Sequence, residues 1–310
     1  MNDLAKKNVL IYGDAFVDYI ATDQTNKSFT KFLGGATINV AAGIARLGGG
    51  CSLITIIGDD ETSDFVKNEL IAEGVDLTYA QLVPEKRVSG VYVHLTDTND
   101  RHFHTYVDDT PDLQVEFSLI EKEAFSEASV FHFCSGTLFH PTALKTTKRI
   151  VEQVSGTEML LSFDANIRPL RWKSEEQCRS TIRSFFEYVD VLKLTDEELF
   201  FITETGTMEE GLKQLEQYNI PVILITVGAE GTYAVIDGVL QHIKVEKVEA
   251  VDTTGAGDAF MAGILSKIYM NGKPNSKDEW VDYISFGNKM GAICATKVGA
   301  LSAMPRLADL

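Results

Sequence analysis

The chain has 310 residues, 45% of them hydrophobic and 24% charged, and its 45 acidic against 28 basic side chains give a formal charge of −17. That balance excludes a nucleic-acid binder, which needs basic groups to displace phosphate counterions. It also requires any phosphate site to be built from backbone amides, a metal and a few local cations. The length suffices for one large core, so a single domain over residues 1–310 with a small appendage is expected.

Four cysteines, Cys51, Cys134, Cys178 and Cys294, lie far apart with no metal-ligand spacing and read as reduced thiols. No apolar stretch has the length of a signal peptide or a membrane span, so a cytoplasmic protein with no membrane partner is expected.

In chain order, the apolar run Val9–Tyr12 leads to Gly13, Asp14 and Asp18, and Tyr12–Ile20 and Phe29–Phe32 offer further short strands. Gly34 and Gly35 open a helical stretch, Ala36–Leu47, that carries Asn39. Leu53–Ile57 is a second apolar run, followed by Gly58-Asp59-Asp60 and a helix over Ser63–Ala72. Ser89–Leu95 and Arg101–Val107 then alternate with period two around the turn residues Asp97, Asn99 and Asp100, which predicts a hairpin. The runs Val130–Cys134, Met159–Phe163, Val189–Leu194 and Val222–Val227 alternate with helices over Pro141–Val154, Glu175–Phe186 and Met208–Tyr218. Helices over Ala256–Met270 and Trp280–Thr296 follow. Near-continuous apolar strands separated by helices predict an α/β fold, a doubly wound, mostly parallel sheet with helices on both faces. The hairpin has no place in such a sheet. With strands falling within about 12–34 and 88–110 it forms a small β lid over the carboxyl ends of the strands, where ligands of open α/β sheets bind.

The strongest local signal is Asp252-Thr253-Thr254-Gly255-Ala256-Gly257-Asp258, which runs into a helix. Two glycines let consecutive N–H groups converge, and the helix aims its positive dipole end at the same point, which makes an anion hole. Asp258 in the first turn sets a carboxylate beside that hole, and phosphoryl transfer to a hydroxyl needs such a proton acceptor next to charge stabilisation. Asp258 as a plain helix cap fits the same spacing, and one residue can serve both ends. The P-loop pattern G-x-x-x-x-G-K-S/T is absent, and Tyr12-Gly13-Asp14 stands where a dinucleotide fold would carry G-x-G-x-x-G.

The motif resembles the second signature of the ribokinase/PfkB family of carbohydrate kinases, D-T-x-G-A-G-D. Gly34-Gly35-Ala36 with Asn39, then Leu47-Gly48-Gly49, resembles the family's first signature. Gly13-Asp14 through Asp18, Gly58-Asp59-Asp60 and Thr226 through Gly231 match further family segments in order, so nearly the whole chain is covered. Asp164-Ala165-Asn166-Ile167-Arg168 with Trp172 is similar to a segment of the fructokinase and 2-keto-3-deoxygluconate kinase branch.

The resemblance implies a ribokinase-like ATP-dependent sugar kinase with Asp258 as general base and Gly255, Ala256 and Gly257 as the anion hole. Asp18, Gly34, Gly35 and Asn39 are implied to hold the sugar. Arg168 would meet a phosphate or carboxylate, or else form a structural salt bridge. Lys193, Thr226, Gly228, Gly231 and Asn288 are implied on the ATP side. Glu198 would organise Mg²⁺ through water, though Thr195 and Glu198 also have the spacing of a helix capping box. Asp252, Thr254, Gly299 and Ser302 lie where many relatives bind a monovalent cation such as K⁺. His102 and His104 share a strand face with Tyr106 and receive no chemistry.

Relatives that act on sugar acids place Tyr-Arg at the end of the second lid strand, where this chain has Tyr106-Val107. Loss of that cation favours a neutral sugar. With the resemblance of residues 96–103 to a fructokinase turn, it points to fructose phosphorylated on its 6-hydroxyl. Kinases for 2-keto-3-deoxygluconate, ribose or a nucleoside are the alternatives within the family. A non-catalytic sugar or nucleotide sensor is the alternative outside enzymes, and an intact Asp258 argues against it. The row Val91, Val93, Leu95, Phe103 and Val107 is more than a two-stranded flap can bury, so it either packs on the core when sugar enters or pairs with the same flap of a second chain. The resemblance, to relatives many of which dimerise through this lid, implies a homodimer joined there.

Overall fold

The computed structural model describes residues 7–96, 101–107 and 109–310; the turn residues Asp97, Asn99 and Asp100 and the side chains of His102, Phe103 and Tyr106 lie outside that description. In chain order the elements begin with β1 (Asn8–Tyr12), β2 (Phe16–Ala21), β3 (Phe29–Gly34), α1 (Ala36–Arg46), β4 (Cys51–Ile54), β5 (Ile56–Ile57), α2 (Glu61–Ala72) and β6 (Gln81–Leu82). The middle of the chain forms β7 (Ser89–Leu95), β8 (Arg101–Val107), α3 (Glu123–Ser126), β9 (Ala128–Cys134), α4 (Pro141–Val154), β10 (Leu160–Asp164) and α5 (Glu175–Arg183). Then come β11 (Val191–Thr195), α6 (Asp196–Thr203), α7 (Met208–Leu215), β12 (Val222–Thr226), β13 (Thr232–Ile236), β14 (Val239–Ile243), α8 (Ala256–Asn271) and α9 (Lys277–Ala295).

The main sheet has eight strands in the order β14-β13-β12-β11-β10-β9-β1-β4, parallel except at the β13–β14 edge. Its strands are apolar on both sides because both sides are covered. Val9, Ile11, Val130 and Leu160 face helices α1, α2, α8 and α9. Leu10, Tyr12, Phe131 and Leu161 face α4, α5, α6 and α7.

Three expectations change. The edge hairpin β13–β14 is absent from the apolar runs, because its outer residues are polar or exposed. Its turn, Asp237-Gly238, has φ of 48° and 75°, the left-handed pair that a tight hairpin requires. The run Leu53–Ile57 divides at Thr55, so that β4 joins the main sheet and β5 pairs with β6 in a separate ribbon.

The third concerns how the lid is joined. Its strands fall within the two expected segments, but they form one four-stranded sheet, β3-β2-β7-β8, with β2 parallel to β7, which is wider than the two-stranded flap assumed for the apolar row. Val91 and Val93 are each 4% exposed within the single chain, so packing within the chain already covers these two positions of the row.

Candidate active site

The carboxyl ends of the central strands and the N-terminus of α8 meet at one place. Gly255 caps α8 with φ 78°, and a Cβ there would lie 2.7 Å from Ala300, so the loop behind the helix packs against bare backbone. Ala256 donates to the Thr253 carbonyl at 3.1 Å, which takes it out of the expected set of free amides. Those of Gly255 and Gly257 have no acceptor inside the helix.

Asp258, half-buried in the first turn of α8, accepts a 2.8 Å hydrogen bond from Asn39 Nδ2. Asn39 lies one turn into α1, whose N-cap is Gly35 (φ 110°), so the first signature and the last motif are joined by one hydrogen bond. The Asn39 carbonyl oxygen is buried with no partner and can accept a bond from a ligand hydroxyl. Burial pushes the Asp258 carboxyl up to about 7; Asp164 adds to the rise, while Asn39, Lys193 and Arg168 oppose it. A base poised near neutrality is matched to proton abstraction at physiological pH.

Beneath the hole lies a buried ion pair that joins Lys193, expected on the ATP side, to Asp164, which was noted only as part of a family segment. Register pairs Asp164, the last residue of β10, with Lys193 on β11. The Lys193 ammonium stands 3.1 Å from both Asp164 oxygens, and both side chains are almost fully buried. Burial opposes the lysine's charge, but Asp164, Glu198 and Asp258 more than offset it and hold its pKa above the ordinary value. Its Nζ lies 3.1 Å from where a Gly257 side chain would begin, so the cation sits against the anion hole.

Glu198 uses its oxygens on backbone: Oε1 accepts from Ile167 N at 2.7 Å and Oε2 from Thr195 N at 2.8 Å, completing a capping box with Thr195. This fixes the 164–168 loop, from whose end the exposed Arg168 donates to the Ile167 carbonyl at 3.1 Å. Asp18 sits on β2 with its carboxylate 2.9 Å from the position a Gly34 Cβ would take, so only glycine fits opposite it.

On the far side, Thr226 ends β12, and Gly228 (φ 43°) and Gly231 (φ 98°) shape the following turn. Asn288 is used structurally: it accepts from Thr232 Oγ1 at 2.7 Å and donates to the Ile243 carbonyl at 2.9 Å, tying α9 to the hairpin edge. Asp252 gathers its neighbours by accepting from Thr254 N (2.9 Å) and Oγ1 (2.6 Å) and from Gly299 N (2.8 Å). Ser302 Oγ lies 2.4 Å from a Gly299 Cβ position and donates to Val298 O. The expected cation residues are therefore adjacent. Among the described residues no group of three or more His, Cys, Asp or Glu side chains is placed to hold a metal.

Amides at a helix N-terminus, a buried cation against them and a carboxyl pushed up to about 7 bring together groups with the chemistry that phosphate transfer needs. The model of the pfkB family carbohydrate kinases matches residues 6–307, and the chain belongs to that family. It is a phosphotransferase acting on a sugar hydroxyl. It is 32% identical to the fructokinase of Vibrio alginolyticus over 303 residues, 97% of each chain, and 33% identical to that of Escherichia coli over 298 residues, 96% of each. Among solved structures it is similar to Vibrio cholerae fructokinase with fructose, ADP and calcium bound (TM-score 0.87, 31% identity, 98% and 97% of the two chains). It is also similar to Xylella fastidiosa fructokinase with bound ATP (TM-score 0.88, 26% identity, 98% and 97%).

Proposed function

We propose that the protein transfers the γ-phosphate of ATP to the 6-hydroxyl of fructose. The observation that carries this is the Asn39–Asp258 pair at the N-terminus of α8, with the Asp258 carboxyl near pKa 7. Fructokinase relatives spanning nearly the full chain supply the acceptor's identity.

In this reading Asp18 and the free carbonyl oxygen of Asn39 bind sugar hydroxyls and turn one toward Asp258. Asp258 takes the proton from that hydroxyl as its oxygen attacks phosphorus. Negative charge that develops on the transferring group falls on the Gly255 and Gly257 amides, the α8 dipole and Lys193, which Asp164 keeps charged and in place. Arg168 stands at the open side of the same cleft. Glu198, whose oxygens each keep acceptor capacity beyond the Ile167 and Thr195 amides, would reach through water a divalent metal held mainly by the nucleotide's own phosphates; when bound, Mg²⁺ would neutralise triphosphate charge. Asp252, Thr254, Gly299 and Ser302 would hold K⁺. Activity should vanish in excess EDTA and return with Mg²⁺, and full turnover in EDTA would refute this part.

A coupled assay over fructose, 2-keto-3-deoxygluconate, ribose and a nucleoside tests the acceptor. Fructose should lead by kcat/KM, and another leader, or no turnover with any of them, would refute the reading. A cytoplasmic location and a homodimer formed through the lid are part of the proposal.

A further inference from the structure

Arg171 lies on the seam between lid and body. Its guanidinium carbon is 4.6 Å from the centroid of the Phe139 ring and 5.6 Å from that of Phe16. Phe139 belongs to the body, following β9 and the short turn after it. Phe16 opens lid strand β2 two residues before Asp18, so the two residues share one face of the strand. Trp172 meets the Phe139 ring edge-on at 6.3 Å. Arg171 itself is half-buried at the end of a 3₁₀ turn, Pro169–Arg171, that projects the fully exposed Leu170.

A guanidinium is drawn to the negative face of an aromatic ring and, being planar, can lie against it. An arginine engaged only with its own surface would be indifferent to where the lid stands. One shared between Phe139 and Phe16 is not, because any opening of the lid carries Phe16 away while Phe139 stays. On another side the lid is held by Tyr19 OH to Thr62 Oγ1 at 3.2 Å and by Lys31 to Glu61 at 3.3 Å. Those contacts reach the start of α2, away from the strand face that carries Asp18. Arg171 therefore clamps the base of the strand that presents the sugar-side carboxylate.

We propose that Arg171 is a positioning residue for the acceptor: by bridging Phe16 and Phe139 it holds the base of the lid, and Asp18 with it, against the body. This rests on the reading that Asp18 binds the acceptor under the lid. Trp172, one of two tryptophans in the chain, reports on the junction, while Trp280 is 7% exposed in the core and supplies a constant background.

The test is a fructose titration followed by tryptophan fluorescence, alongside steady-state kinetics and melting, for the wild type, Arg171→Leu and Arg171→Lys. Arg171→Leu should raise the fructose Kd and KM about five- to thirtyfold, the range two such cation–π contacts together support. The ATP KM and the melting temperature should hold. Arg171→Lys keeps the charge without the planar face and should lie between leucine and wild type. An unchanged fructose Kd in Arg171→Leu, or a rise shared by the ATP KM and accompanied by a fall in melting temperature, would overturn the proposal. A wild type that does not phosphorylate fructose fails the acceptor reading instead, and the same titration then uses whichever sugar of the panel is turned over.

Discussion

The floor of the cleft and its lid are held together by opposite means. On the floor, Asn39 is bonded to Asp258, Lys193 to Asp164, and Glu198 to the Ile167 and Thr195 amides, at 2.7–3.1 Å and mostly out of water. In the lid, Tyr19 stacks on Tyr92 at 4.7 Å, Phe29 meets Tyr92 edge-on at 5.0 Å, and His94 stacks on His104 at 3.9 Å, all on half-open faces. Charge-assisted bonds in a low dielectric are strong, coupled and costly to halve. Ring contacts are each worth about 0.5–1.5 kcal/mol and fail separately. Chemistry should therefore be brittle to single changes in the floor, and affinity for the acceptor should grade smoothly with changes in the lid.

The sharpest way to break that contrast is Lys193→Met. It leaves Asp164, 2% exposed, without its cation, which should cost about 3–5 kcal/mol of stability by urea unfolding and remove most turnover. The double variant Asp164→Asn/Lys193→Met should recover most of the stability and none of the turnover. A single variant as stable as wild type would mean that the pair is not the coupled unit the geometry implies.

Asp258→Asn comes next. It should lower kcat by a factor of at least ~10² while ATP still binds. The group's folded pKa of about 7 lies above the ordinary value of 3.8, so between these limits the folded chain holds a proton that the unfolded chain has lost. Stability from this group thus falls as pH rises through that window, and above it the folded state carries the whole cost of a buried charge. The asparagine variant should accordingly melt a few degrees higher than wild type at pH 8, with the gap closing toward pH 4. Retention of most turnover would remove Asp258 from its role.

A smaller effect should follow from Asn39→Ala. The wild-type kcat/KM should rise with pH through an apparent pKa near 7 as Asp258 loses its proton. Asn39 donates to the ionised form and so lowers that pKa; without it the limb should move to higher pH, and kcat should drop about tenfold. A limb that stays put would show that another group sets it.

The same contrast governs what the sequence made legible. The parallel core could be read because a strand covered on both faces is apolar at every position, as in Val222–Thr226. The bounds of β7 and β8 could be read because a half-open sheet alternates. The parallel β2–β7 pairing could not, since Phe16–Ala21 joins a strand some seventy residues away and no local pattern encodes that partner. Asp258 was visible because glycines flank it. Lys193 and Asp164 were each noted through the resemblance, but their pairing was hidden, because only strand register sets them side by side. Arg171 was hidden similarly, as Phe16 and Phe139 come from two segments far from it in the chain.

The mildest test is Tyr92→Ala in the lid. It removes the stack on Tyr19 and the edge contact with Phe29, together about 1–3 kcal/mol of local packing. Because the lid's own strand pairing and the buried Val91 and Val93 remain, the melting temperature of the body should barely move, and the acceptor KM should rise only a few-fold. With Val91 and Val93 covered, this opposite face of β7 becomes the seat we propose for the dimer, since a half-open aromatic ladder gains most from a second copy laid against it. Light scattering should then find the wild type dimeric and Tyr92→Ala shifted toward monomer at equal concentration. A wild type that is monomeric at high micromolar concentration and still turns over normally would show that four strands and the buried valines make the lid self-sufficient. In that case the ladder serves only to stiffen the lid.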